Sequence, residues 1–265
     1  MRSAVLLLNP ADPKDTVRDA LVRVLGWRAL FLQQDPPTYD RWRWVKRHLR
    51  PGPLRTLDAG SGSGAFTMYA AARGNEALGI SFDERANHRA SRRARLLGFR
   101  HAHFRTGDLR QLKSYSPELG AFDQILCLET IEHVMADQAL VNDLAALLRP
   151  GGTLLLSTPY AAHRPLRGER LSAVEDGGHV RWGYTFGELR SMLTAAGLRV
   201  QSEEFLSGFV SQQITNAARA VEDRIGAHAA WALTAPLRVL QTVDRWLSSR
   251  IGYPPLAVAV VGVRP

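Results

Sequence analysis

The chain has a single cysteine in 265 residues, Cys127, so no disulfide can form within it. Ile125, Leu126 and Leu128 surround it, which predicts a buried, reduced thiol of the kind a cytoplasm keeps. Long apolar runs are also missing. No stretch reaches the roughly 18 uninterrupted apolar residues that a spanning helix needs. The run Ala4–Leu8 stops at Asn9-Pro10, short of a signal-peptide core. These absences predict a soluble, cytoplasmic protein. There is no internal repeat and no low-complexity tract. Acidic residues are in deficit: 25 Asp and Glu face 34 Lys and Arg, for a formal net charge of +9. That charge permits a polyanionic partner. The excess is scattered, however, as in Arg85, Arg89, Arg92, Arg93 and Arg95, and reads first as a solvated helix face. Nucleic-acid binders cluster their basic residues, so RNA ranks behind a small molecule as partner.

What is present is an ordinary globular composition, 45% hydrophobic and 22% charged, on a length that suits one large domain with an insertion. Apolar Val17, Ala20, Leu21, Val24 and Leu25 predict a helix over 15–32, and a basic, aromatic helix follows over 39–49. Strand-like runs then alternate with helical ones. Strands are expected at 54–59, 77–80, 102–105, 122–128 and 153–157, with helices at 64–73, 84–97 and 134–148 between them. A helix at 185–196, capped by Gly197, and strands at 198–205 and 255–263 complete the pattern. The expectation is an α/β fold: a Rossmann-like doubly wound sheet, mostly parallel with an antiparallel last strand. Its parts are an N-terminal helical cap (1–53), a core (54–206), a helical insertion (207–254) and a final strand (255–265). The insertion reads as two helices, 209–226 and 230–250. Leu233, Leu237, Leu240 and Leu247 give the second an apolar stripe, flanked by Arg238, Arg245 and Arg250. A lid, a dimer face and a peripheral membrane contact through 230–250 all remain open.

The most informative segment is Asp58-x-Gly60-x-Gly62-x-Gly64, which closes the first strand and opens a helix. Glycines there let the backbone turn sharply and approach a ligand closely. The helix N-terminus that follows favours a carboxylate, and Asp58 suits an ammonium. Leu57-Asp-Ala-Gly-Ser-Gly-Ser-Gly64, Gly107-Asp108-Leu109, Phe122-Asp-Gln-Ile-Leu-Cys-Leu-Glu129 and Leu148-Arg-Pro-Gly-Gly-Thr-Leu-Leu-Leu-Ser157 occur in that order. Together they resemble the class I S-adenosylmethionine-dependent methyltransferases over residues 54–206. The resemblance implies S-adenosyl-L-methionine as cofactor, with Asp58, Gly60, Ser61, Gly62, Gly64, Ser81, Phe82, Asp108, Leu109 and Leu128 around it. Asp108 would meet the adenine amino group. One position departs from the family pattern: Ser81 stands where an acid usually holds the ribose hydroxyls. Some methyltransferases similar to cyclopropane-fatty-acid synthase share this. Asp83 and Asn87 are the candidates to assist, and Asp83 also suits a helix cap.

Glu129-Thr-Ile-Glu132-His133 follows the fourth strand, at the edge where open α/β sheets place substrates. On a helix, residues 129, 132 and 133 would share one face. Gly178-His179 offers another imidazole. This pattern resembles ubiquinone-biosynthesis O-methyltransferases, and also small-RNA 2′-O-methyltransferases that hold a metal with such a set. By that resemblance Glu129, Glu132, His133 and His179 are candidate ligands for Mg, Mn, Co or Zn. The alternative is a base role for His133 or His179 without metal. Tyr160, Trp182, Tyr184 and Phe186 read equally as pocket and as core, and Tyr39, Trp42 and Trp44 suit a cover over the cofactor. His101, His103 and His163 read as structural. The leading expectation is O-methylation of a small organic molecule. C- or N-methylation of a small molecule or lipid, 2′-O-methylation of RNA, and a binding module without turnover are the rivals.

Overall fold

The structure, a computed structural model, describes residues 13–32 and 34–265, without the side chains of 13–18 and 228. The run Ala4–Leu8 and the side chain of Val17 therefore lie outside the described residues. Three helices come first: α1 (Pro13–Leu25), α2 (Arg28–Leu32) and α3 (Pro36–His48). The single helix expected over 15–32 is two, because Gly26 takes φ +63° and ends α1. Asp35 caps α3 by accepting from Thr38 N, and Pro36 and Pro37 fill the first turn, where no amide is needed.

Strands and helices then alternate: β1 (Arg55–Ala59), α4 (Ala65–Ala72), β2 (Glu76–Ser81), α5 (Glu84–Leu96), β3 (Ala102–Thr106), α6 (Leu112–Leu119), β4 (Phe122–Leu128), α7 (Asp137–Leu147), β5 (Leu148–Pro159), α8 (Phe186–Ala195) and β6 (Arg199–Leu206). After β6 come α9 (Phe209–Ile225), α10 (Ala227–Thr234), a 3-10 stretch over Ala235–Val243, α11 (Asp244–Arg250) and β7 (Ala257–Val263). The helix expected over 230–250 is thus three pieces. Pro236 opens the 3-10 stretch, and a proline inside a helix has no amide to donate. Helix α6 is only eight residues long and contains Pro117, which hid it in the sequence.

All seven strands form one sheet in the order β3-β2-β1-β4-β5-β7-β6. The first five are parallel, and β7 runs antiparallel between β5 and β6. Strand order reverses between β1 and β4, the place where such sheets open a crevice. Ala59 pairs with Ile80 on one side and Cys127 on the other, so the carboxyl ends of β1, β2 and β4 lie side by side. One face of the sheet packs Leu112, Leu144 and Leu189 from α6, α7 and α8. The other packs Trp44, Met68 and Tyr69 from α3 and α4. Cys127 is fully buried, as its neighbours predict.

Candidate active site

The loop from β1 to α4 is built for close approach. Gly60 N and Ser61 N both donate to Ile80 O, which ties the loop to β2. Gly60 sits at φ +87°, and a Cβ there would lie 2.3 Å from Thr130 Oγ1. Gly64 enters α4 at φ +74°, against Phe104 and Ala90. Gly62 differs. A Cβ on it would meet nothing nearer than Gly60 O at 3.9 Å, so its freedom is not spent on packing against protein. Asp58 is buried at the end of β1, and its carboxylate accepts from Thr67 Oγ1 at 2.6 Å. Burial raises its pKa to about 6, partly offset by the Thr67 bonds. Ser61 Oγ is buried with no hydrogen-bond partner.

The other expected cofactor residues lie along the same edge. Ser81 ends β2, is buried, and accepts from Asp83 N. Asp83 caps α5 through Ala86 N, so its carboxylate is engaged there. Asn87 donates to Ser81 O, Arg105 O and Thr106 Oγ1, while its Oδ1 is buried and unpartnered. Asp108 follows β3 and is gripped by Arg110, whose guanidinium holds it below the ordinary carboxylate range. Leu109 and Leu128 are buried, whereas Phe82 is exposed.

The residues expected on the acceptor side follow β4. No α-helix starts at Glu129. That residue takes φ +50°, its amide donates to Ser157 O, and a 3-10 turn over Ile131–His133 follows. The left-handed turn removes the shared face expected for 129, 132 and 133. Glu129 instead pairs with Arg41 of α3 at 3.2 Å and accepts from Ser157 Oγ. Glu132, His133 and His179 do converge: ligand atoms of all three lie within 4.8 Å of one another. Glu132 is fully buried. Its Oε2 accepts from Thr158 Oγ1, and its Oε1 has no hydrogen-bond partner. Burial first, then the Glu129 charge, pushes its pKa up to about 8.

His133 donates from Nδ1 to Gly178 O at 3.0 Å, which leaves Nε2 with a lone pair. Burial lowers its pKa. The pKa of His179 is raised, chiefly by Glu169, whose Oε1 is 3.3 Å from Nδ1. Glu169 also meets His163 Nε2, and despite burial the two imidazoles hold its carboxyl well below the usual range. His163 fits its structural reading, bonded to Tyr160 O and Glu169. His101 and His103 both bond Glu76 on the surface. A cleft of about 470 Å³ joins Arg41, Glu129, His133, His163, Glu169 and His179. Neither Tyr184 nor Phe186 lines it: Tyr184 is buried with its hydroxyl on Ile131 O and Asp137, and Phe186 packs on Phe205. Tyr160 also packs on Phe205, and Trp182 lies beside His163. Trp42 and Tyr39 belong to an aromatic cluster with Trp27, Phe31 and Tyr69, and Trp44 is buried. Sequence reasoning missed Arg41 and Glu169. Neither had a local signal: Arg41 is one of several cations among the aromatics of α3, with Arg43, Lys46 and Arg47 close by.

Residues 30–203 match the model of a methyltransferase domain family. The chain belongs to the S-adenosylmethionine-dependent methyltransferases. A ubiquinone biosynthesis O-methyltransferase of Leptothrix cholodnii is 30% identical over 156 residues, covering 57% of this chain and 65% of that protein. One from Azotobacter vinelandii is 30% identical over 118 residues, covering 44% and 50%. The matched region thus spans half to just under two thirds of these relatives. A Mesorhizobium loti S-adenosylmethionine-dependent methyltransferase of known structure shares the fold, with TM-score 0.54 and 19% identity over 85% of this chain and 98% of that one. The residues present fit the cofactor. The methyltransferase offers an unfilled glycine approach at Gly62, a buried carboxylate at Asp58, and unpartnered polar atoms on Ser61 and Asn87. They fit a divalent cation as well: Glu132 Oε1 and two imidazoles are an oxygen–nitrogen donor set, and the oxygen is an orphan.

Proposed function

We propose that this methyltransferase methylates a hydroxyl oxygen of a small organic molecule held in the cleft beside Glu132, His133 and His179. The observation that carries the reading is the convergence of those three side chains beside the carboxyl edge of β4. S-adenosylmethionine supplies an electrophilic methyl carbon on a sulfonium, so the protein has to align an oxygen and manage one proton. The neutral His133 ring has Nε2 free to accept the hydroxyl proton, because Nδ1–H is committed to Gly178 O. The oxygen forms its bond to the methyl carbon as the carbon–sulfur bond breaks, and the proton ends on the imidazole. Glu169 Oε1 lies 3.3 Å from His179 Nδ1 and holds that ring by charge. Where a divalent cation is bound, Glu132, His133 and His179 are the residues to hold it, and it would lower the hydroxyl pKa. The relatives named as ubiquinone O-methyltransferases support oxygen as the acceptor atom.

The test is a panel of phenols, catechols, amines and carbon acids incubated with methyl-labelled cofactor and read by mass spectrometry. Label on oxygen is the expected result, and label confined to nitrogen or carbon overturns the reading. Metal content after dialysis against chelator, together with the thermal shift on adding Mn or Zn, separates the cation from the base role.

A further inference from the structure

The elements between β6 and β7 leave an apolar face that nothing else in the described structure covers. Nine of the nineteen exposed large hydrophobic side chains among the described residues fall within 225–251. Leu233, Val239, Leu240, Val243 and Trp246 are among them. The face continues onto the N-terminal helices. Leu21, Leu25 and Leu32 line one groove of about 490 Å³ with Trp231 and Val239. The join is fixed by hydrogen bonds rather than by chance apposition. Trp231 Nε1 donates to Leu32 O, Arg238 donates to Phe31 O and Gln34 O, and Gln241 donates to Pro36 O. The polar sides of these pieces are consumed inward. Asp244 is buried and caps α9 by accepting from the amides of Gly208, Val210 and Ser211.

The exposed charges within 225–251 have one sign. Asp244 is the only acid in 225–251, and it is buried. Arg245 and Arg250 are exposed, Arg250 over the ring of Trp246, and Arg28 and Arg43 are exposed on the neighbouring helices. An apolar stripe with an exposed tryptophan, rimmed by arginines, matches the chemistry of a helix lying in the headgroup region of an anionic bilayer. A second copy of the chain fits worse, since a two-fold contact would set this arginine rim against itself. No helix among the described residues is long and apolar enough to cross a membrane, so the contact is peripheral. We propose that this face, formed by 227–251 with α1 and α2, binds the surface of anionic lipid membranes. Helix α3 ties it to the active site: Arg43 and Tyr39 line the groove, while Arg41 of the same helix lines the cleft.

The test is flotation of the full chain with vesicles of phosphatidylcholine alone and with added phosphatidylglycerol. The expected result is binding to the anionic vesicles that weakens as salt rises, with a blue shift in tryptophan fluorescence. Leu240→Asp and Trp246→Asp alter exposed positions, and circular dichroism checks that they fold. Each should weaken vesicle binding by about tenfold or more, from the apolar burial lost. Arg245→Gln and Arg250→Gln should each weaken it about fivefold. No binding to anionic vesicles, binding unchanged in all four variants, or a dimer that Trp246→Asp dissociates would overturn the proposal.

Discussion

His133 and His179 pack edge to face with ring centroids 4.7 Å apart, over the buried carboxyl of Glu132. They come from separate connections, one after β4 and one between β5 and α8. Backbone bonds hold them together: Gly178 O takes His133 Nδ1–H, and Val180 N donates to Glu132 O. The imidazole pair is therefore a product of the chain path. His133→Ala should lower the methyl-transfer rate constant by about 10²–10⁴ while leaving cofactor affinity nearly unchanged. Single-turnover rates and calorimetry with S-adenosylmethionine check this, and a comparable loss in both would assign His133 to cofactor binding instead.

Asp58 gives a stability signature with a definite sign. In the folded protein burial keeps it protonated up to about pH 6, while the unfolded chain ionises it near its ordinary 3.8. Between those values folding takes up a proton, so wild-type stability falls as pH rises and is lower by a constant amount above pH 6. Asp58→Asn should match wild type near pH 3.5. It should become more stable through that window, by on the order of 2 kcal/mol at its upper end. Cofactor affinity should run the other way, strengthening with pH in wild type as the carboxylate forms for the ammonium, and staying flat in the variant. Thermal unfolding and calorimetry across pH 4–8 read both.

Two glycines of one loop should part company. Alanine at 60 puts a Cβ 2.3 Å from Thr130 Oγ1, a collision that costs on the order of 2–4 kcal/mol. Alanine at 62 meets no protein atom closer than 3.9 Å and bears only the left-handed backbone cost, about 1 kcal/mol. Gly62→Ala should therefore fold and lose S-adenosylmethionine affinity by at least about tenfold, the loss a ligand-facing steric clash brings. A variant that folds and binds normally would remove Gly62 from the cofactor cradle.

Glu169 should matter to activity without touching the acceptor. Its carboxylate lies between His163 and His179, so Glu169→Gln loosens the second imidazole. A fall of about tenfold in kcat, with KM for cofactor unchanged, is the expected pattern for a positioning residue. A fall in kcat together with a rise in KM would point to a wider collapse of the 160–184 connection.

The central strand β4 was legible because it is buried on both faces, which writes Ile125–Leu128 as a continuous apolar run. The glycine loop was legible because close approach admits no other residue at 60 and 64. The cluster after β4 was only half legible. Glu132, His133 and His179 could be named from spacing and resemblance. The separation of Glu129 could not, because its left-handed turn depends on the bond from its amide to Ser157 O, a partner on another strand. Glu169 had no local signal at all. Its role arises when an irregular connection folds back and sets it between two histidines distant in sequence. The break between α10 and α11 was written in Pro236, but the leucine stripe masked it.

The ion pair of Arg41 and Glu129 is asymmetric, and that asymmetry is measurable. The Arg41 side chain is 11% exposed and that of Glu129 25%, and Arg41 Nε is buried with no hydrogen-bond partner. Removing the carboxylate strands the more buried charge, whereas removing the guanidinium leaves a carboxylate that still accepts from Ser157 Oγ. Glu129→Gln should therefore destabilise by on the order of 2–3 kcal/mol and Arg41→Met by about 1. The double variant should be no worse than Glu129→Gln alone, since the stranded charge is gone. Denaturant unfolding of wild type and the three variants closes the cycle, and simple additivity would mean that the pair contributes no coupling. Position 129 supplies its own control. At φ +50° asparagine should fit and valine should not, so Glu129→Val should lose a further 1 kcal/mol or more, on the order of the left-handed cost for a branched side chain.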